Sequence, residues 1–232
     1  MSRGNEAGKT TAHYPDTTTE RLEIFSDGVI AIAITLLVLD IKVPHPMGST
    51  NLFEAIGDEW PALLAFALSF AVIGLIWVSH HSMFEHIAHV DRGLLFTNLL
   101  LLLGIAFLPF PTALLAEFVA EGGSNAHQAA AIYSATMAGI GFAFSGIWLH
   151  LDRHPGLLLE GNARTNVHRS FQRSLVGPFV YTATIALAFV SAIACFVVYF
   201  LIAVYFAWGP SSRALREGQT VEAVIPEPHE EI

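Results

Sequence analysis

Residues 21–44 read RLEIFSDGVIAIAITLLVLDIKVP, and the twelve positions between Asp27 and Asp40 carry no charge. With its flanks this run is long enough to cross a hydrocarbon core as a helix, which takes about 20 apolar residues. Asp27 lies just inside the run. A carboxylate in that place needs a partner, water or a helix N-terminus, which makes Asp27 an organising residue and Arg21 its nearest basic candidate. Upstream, Thr17 as N-cap with Glu20 three residues on has the form of a capping box. Downstream, Pro44 and Pro46 are stop signals, so the predicted helix runs from about Thr18 to Val43.

The rest of the chain has the same character. Of 232 residues, 13% are charged and 53% hydrophobic, whereas a soluble domain carries about 25% charged residues. The apolar residues fall in blocks between short polar connections, which predicts an all-α integral membrane protein. Polar residues precede the first block, and no small-x-small site follows it, so it is expected to be a retained span rather than a cleaved signal. A net charge of -9 with no basic patch or zinc-finger spacing argues against nucleic acid as a partner. The single cysteine, Cys195, lies within an apolar run, permits no intrachain disulfide and leaves the redox compartment open.

Composition predicts three parts: a disordered segment over residues 1–16, a transmembrane domain over 17–209 and an acidic tail over 210–232. After the first helix, residues 51–59 are expected to be a short acidic connection. A second span is predicted from Pro61 to about Met83, and a third from Leu94 to about Leu115 with its last turns loosened by Pro109 and Pro111. A fourth is predicted from about Ala129 to Leu149, where Ala135/Gly139 and Gly141/Ser145 are small pairs suited to close helix contact. A basic connection follows, with Arg153, Arg164, Arg169 and Arg173. Ser174 to Trp208 are then 35 uncharged residues, barely enough for two spans, with a turn expected near Ser191.

Charge asymmetry decides between one span and two. With six spans and a cytoplasmic N-terminus, ten of the eleven Lys and Arg residues fall inside, and only Lys42 lies near the outer face. The positive-inside rule therefore favours six transmembrane helices with both termini in the cytoplasm, in the cell (inner) membrane.

Along the first helix, Gly28, Ile32, Leu36, Leu39 and Val43 form one stripe, with Thr35 at its edge. Such a stripe either packs against another helix or, in a symmetric assembly, lines a central path. In the second case its aliphatic rings make poorly wetted constrictions, and the Thr35 hydroxyl replaces part of a cation's lost water. No TVGYG-like filter loop occurs.

Arg21 followed four residues on by Phe25-Ser26-Asp27, then GVIAIAITLLVL, resembles the first-helix signature of the TMEM175 family of potassium channels, in its prokaryotic single-repeat branch. The resemblance extends through Trp77, His80 and His81 to Asn98. It implies a homotetrameric, passive, potassium-preferring cation channel in which the first helices surround the pore. Ile32, Leu36 and Leu39 would then form the constriction and Thr35 a hydroxyl layer beside it, the path of permeant K+ and other monovalent cations. Arg21, Phe25, Ser26 and Asp27, with Trp77, His80, His81 and Asn98, would brace the helix. No cofactor is implied, and the partners are other copies of the chain and membrane lipids.

His80, His81, His86, His89 and Glu85 crowd the end of the second span, but no HExxH occurs and their spacing fits no closed metal site. Two other classes compete with a channel. A proton-coupled secondary transporter would use Asp27 or the histidines and carry inverted repeats. A membrane enzyme would need an acid or base beside the span-interior hydroxyls Ser69, Ser79, Thr97, Ser134, Thr136 and Ser145; the sequence places none there.

Overall fold

A computed structural model describes residues 17–44, 51–159 and 163–208. The segments expected to be a disordered N-terminus and an acidic tail lie outside the described residues, as does the side chain of Thr17. Among the described residues the chain is all-α, with nine α-helices: α1 Thr17–Leu36, α2 Leu52–Asp58, α3 Trp60–Phe84, α4 Arg92–Phe107, α5 Pro109–Phe118, α6 Gly123–Arg153, α7 Ala163–Ser174, α8 Val176–Ala188 and α9 Ala192–Trp208.

Four stretches are long and apolar enough to cross a membrane: 19–40, 60–84, 92–118 and 123–153. The third is α4 and α5 together, broken at Leu108, where Pro109 and Pro111 leave carbonyls without their usual donors. Thr112 donates both its backbone N–H and its hydroxyl to the Leu108 carbonyl, at 3.2 and 2.9 Å. The last apolar region is a hairpin. Ser191 accepts the Ala194 N–H on its side chain and so caps α9. With 13 and 17 residues, α8 and α9 rise about 20 and 26 Å.

Several boundaries differ from those predicted. The first helix does not run regularly to Val43: it tightens into a 3-10 turn at Leu37–Asp40 and is extended from Ile41. Residues 51–59 are not a plain connection. Asn51 and Glu54 form a reciprocal capping box that starts α2. The fourth span is longer than predicted at both ends. The basic connection contains α7, whose Val167 is buried while His168, Arg169, Gln172 and Arg173 are exposed.

The centre of the bundle is α6, which packs on α4, α5, α7, α8 and α9. Half of its most apolar stretch is buried within the chain, against 28% for α1. Gly141 brings α8 close: a Cβ there would lie 2.9 Å from Pro178 Cδ. Gly139 and Ala135 instead face away from the bundle, so that small pair makes no close contact within the chain. The span-interior hydroxyls serve packing. Ser69 bonds to Thr112 and Tyr133, Ser134 to Tyr199 and Thr184, and Ser79, Thr97, Thr136 and Ser145 donate to carbonyls of their own helices.

At one end of the bundle the α3–α4 loop meets the segment after α6. Ala88 and His89 donate backbone N–H groups to Leu157, Leu159 donates to His86, and Thr19 at the start of α1 reaches Ala88. Arg21, Arg92, Arg153, Arg169 and Arg173 belong to elements meeting at this end. At the other, Lys42 pairs with Glu117 at 2.5 Å.

Candidate functional site

The polar side of α1, formed by Glu23, Ser26 and Asp27, faces α3 and α4. Ser26 is fully buried and donates to the Leu22 carbonyl at 2.8 Å. Asn98 of α4 donates its amide N–H to Ser26 Oγ at 2.8 Å, which leaves Asn98 Oδ1 to accept from His80 Nε2 of α3 at 2.9 Å. The direction of each bond follows from the last, and together they fix the His80 tautomer with its proton on Nε2. His80 Nδ1 is buried without a hydrogen-bond partner, and the ring stacks on Phe84.

Beside this buried chain run two more exposed rungs. Trp77 Nε1 donates to Asp27 Oδ1 at 2.9 Å, and His81 Nδ1 meets Glu23 Oε1 at 2.9 Å. Glu23 and Asp27 are one helical turn apart on α1, and Trp77 and His81 one turn apart on α3. Because the two helices run antiparallel, the pairs match in reverse order. Trp77 and His81 also stack, with ring centroids 6.0 Å apart.

Of the predicted bracing residues, the structure thus brings Ser26, Asn98 and His80 into one chain, Asp27 and Trp77 into one rung, and His81 into another. It does not bring in Arg21 or Phe25. Within the single chain both are exposed, and Arg21 makes no hydrogen bond or ion pair with Asp27, whose partner is the Trp77 indole. Glu23, outside the predicted set, is the partner of His81. The signal for it was the i, i+4 spacing of two acids on one helix opposite a Trp and a His at the same spacing on the next.

Opposite the polar side, the stripe is bare. Ile32, Leu36 and Leu39 are 61%, 43% and 74% exposed, while Ile30, Ala33 and Leu37 are buried against the chain's own helices. Leu39 lies in the 3-10 turn at Leu37–Asp40, whose tighter winding turns it toward the side that Leu36 occupies at the end of α1. Thr35 is also exposed, and its hydroxyl donates to the carbonyls of Ala31 and Ile32 at 3.0 and 2.9 Å. No group of three or more His, Cys, Asp or Glu side chains suited to a metal occurs among the described residues.

A family model described as "Endosomal/lysosomal potassium channel TMEM175" matches residues 21–109, the segment that carries both α1 and its polar anchorage. A potassium channel of Streptomyces collinus is 44% identical over 198 residues, which is 85% of this chain and 95% of that protein. The chain belongs to the TMEM175 family. A potassium channel of Chamaesiphon minutus is 41% identical over 82% of this chain and 93% of its own length. The crystal structure of a lysosomal potassium-selective channel TMEM175 homolog from Chamaesiphon minutus superposes with a TM-score of 0.72 at 39% identity, covering 82% of this chain and 97% of that one. The mouse "Endosomal/lysosomal proton channel TMEM175" is 43% identical over 98 residues, a fifth of that longer protein. The TMEM175 family is one of channels, not catalysts, and the hydroxyls and histidines described above have structural partners rather than a reacting group.

Proposed function

We propose that this chain forms a passive, potassium-preferring cation channel as a homotetramer of six-span subunits, with α1 of each copy facing a shared path. The observation that carries this reading is the two-sidedness of α1. One side is held by the Ser26–Asn98–His80 chain and the Asp27–Trp77 rung, while Ile32, Thr35, Leu36 and Leu39 are exposed on the other. Rings of these aliphatic residues would form a narrow, weakly hydrated constriction. The Thr35 oxygen, its hydrogen directed to its own backbone, would offer lone pairs to a passing cation.

Six spans require α8 and α9 to cross as a hairpin, which places the arginine-rich end and both termini in the cytoplasm. The names of the Streptomyces and Chamaesiphon relatives as potassium channels support K+ as the permeant ion. A second reading, proton permeation, is favoured by the name of the vertebrate relatives as proton channels. Coupled transport would instead give saturable flux that follows a second gradient.

The test is flux from liposomes holding the purified protein, with K+, Na+ and proton gradients applied in turn and Ile32→Ala measured alongside. K+ efflux exceeding Na+ efflux, with discrimination relaxed in Ile32→Ala, supports the proposal. Absence of K+ flux under any gradient, or a variant with unchanged conductance and selectivity, rejects it.

A further inference from the structure

Only Leu175 separates α7 from α8. It is itself in the right-handed helical conformation, and both helices pack on α6, so the two continue as one path. Along that path Arg169, Arg173, Val176, Phe179 and Ala183 follow at spacings of three and four and are all exposed, which puts them on one face. Two arginines thus stand one turn apart beside a run of bare apolar residues. Val176 and Phe179 are 42% and 60% exposed, and Phe179 lies edge-on to Phe142 of α6 with ring centroids 5.8 Å apart. Nothing nearby neutralises the arginines. The helix α7 holds no acidic residue. Asp152, the carboxylate that reaches it from α6, accepts from His168 Nδ1 at 3.2 Å, and Gln172 donates to Nε2 of the same ring at 3.2 Å. Among the described residues Arg169 and Arg173 have no ion pair or hydrogen bond.

We propose that this face binds an anionic phospholipid, with its phosphate held by Arg169 and Arg173 and an acyl chain laid along Val176 and Phe179. The charge follows from the pair: helix positions four apart have Cβ atoms about 5–6 Å from each other, close enough for two guanidinium forks to share one phosphate. The lipid follows from what adjoins it. A free phosphate or an acidic peptide would satisfy the arginines and leave Val176, Phe179 and Phe142 bare. Phosphatidylcholine brings its own cation to its phosphate and gains less from them. The depth agrees, since Arg173 and Arg169 stand about 5 and 10 Å beyond Val176 along the axis, across a head-group layer of about 5–8 Å. The proposal rests on the six-span reading, in which α8 crosses the membrane, and not on conduction; flux can fail while this binding holds.

The probe is dioleoyl phosphatidylglycerol, titrated against the full-length protein in neutral detergent beside dioleoyl phosphatidylcholine, with bound lipid counted by native mass spectrometry. Phosphatidylglycerol should bind saturably and more tightly. Arg169→Gln combined with Arg173→Gln should weaken it about thirtyfold, the effect of two juxtamembrane cations, and leave phosphatidylcholine unchanged. Arg92→Gln removes a lone cation at the same end of the bundle and should change little. Phe179→Ala keeps both arginines and should weaken phosphatidylglycerol roughly fivefold. Glycerophosphoglycerol, the same head group without chains, should not compete. The proposal is overturned if the wild type does not prefer phosphatidylglycerol, if the double arginine variant or Phe179→Ala binds it as the wild type does, or if Arg92→Gln costs as much as the double variant. Displacement of the lipid by glycerophosphoglycerol would make this a site for a free anion and overturn it too. So would a change of oligomer size in the double variant, which would make the face a contact between copies of the chain.

Discussion

Trp77 Nε1 donates to Asp27 Oδ1 across 2.9 Å, and one helical turn away His81 and Glu23 repeat the contact between the same two helices. The membrane-entry carboxylate is therefore held by an indole N–H rather than by a cation. Trp77→Phe keeps a ring for stacking but removes the donor. It should lower stability by about 1 kcal/mol, less than a buried hydrogen bond to a charged group contributes, because the rung is partly exposed. Thermal melts of Trp77→Phe, Asp27→Asn and the double variant check it. Additive losses would mean that the rung contributes nothing as a pair.

The buried chain should matter more. Asn98→Leu leaves His80 Nε2 without an acceptor in a site where Nδ1 already lacks a partner. A loss of roughly 2 kcal/mol is expected, the cost of one buried unsatisfied donor. Asn98→Asp, which keeps an acceptor for His80, should fall between it and the wild type. The fraction of folded protein surviving purification at graded temperatures reads both.

Gly93 permits a contact that no larger residue allows. A Cβ at that position would lie 2.4 Å from His150 Cε1. Gly93→Ala should therefore push the ring off Asp91, to which Nε2 now donates at 2.9 and 3.0 Å. A cost of about 1–3 kcal/mol follows from overpacking. His150→Ala in the same background should recover most of the clash component, measurable by comparing melting temperatures of the two variants.

Asp91 also predicts a pH dependence. Its carboxylate accepts the Leu94 N–H at the start of α4, and this bond, with His150 beside it, holds its pKa below the usual 3.8. A depressed carboxylate adds stability above its unfolded pKa and loses it as pH falls through the folded value. The melting-temperature advantage of the wild type over Asp91→Asn should be constant above about pH 5 and shrink below about pH 4. An advantage that grew on acidification would contradict the assignment.

Thr35→Val keeps the shape of the side chain and removes its oxygen. If Thr35 meets permeating K+, conductance should fall roughly two- to tenfold, the value of one hydrogen-bond-strength contact, while assembly is unchanged. Single-channel recording of the variant decides it.

The span interiors were readable from sequence because hydropathy and proline act locally: the break at Leu108 and the turn at Ser191 sit where Pro109 and the hairpin argument put them. The stripe was readable too, since Ile32 and Leu36 lie about one helical period apart on one side and Ile30 and Ala33 on another, but periodicity left open whether that side packs on a helix or stays exposed. What local rules missed was set by distant partners. Nothing near Leu37 announces the 3-10 turn; α5 packs against it there. Arg21 is the nearest cation to Asp27 in sequence, yet an indole fifty positions away occupies the carboxylate.

The Thr35 hydroxyl is turned inward at its hydrogen, toward Ala31 and Ile32. Along the whole exposed side from Gly28 to Val43, Thr35 is the sole polar side chain among the stripe positions, and it presents an acceptor and no donor. On the proposed channel reading, a chloride ion on that side would meet no donor to solvate it, and rejection of anions would need no acidic ring, because the one polar side chain there spends its donor on its own backbone.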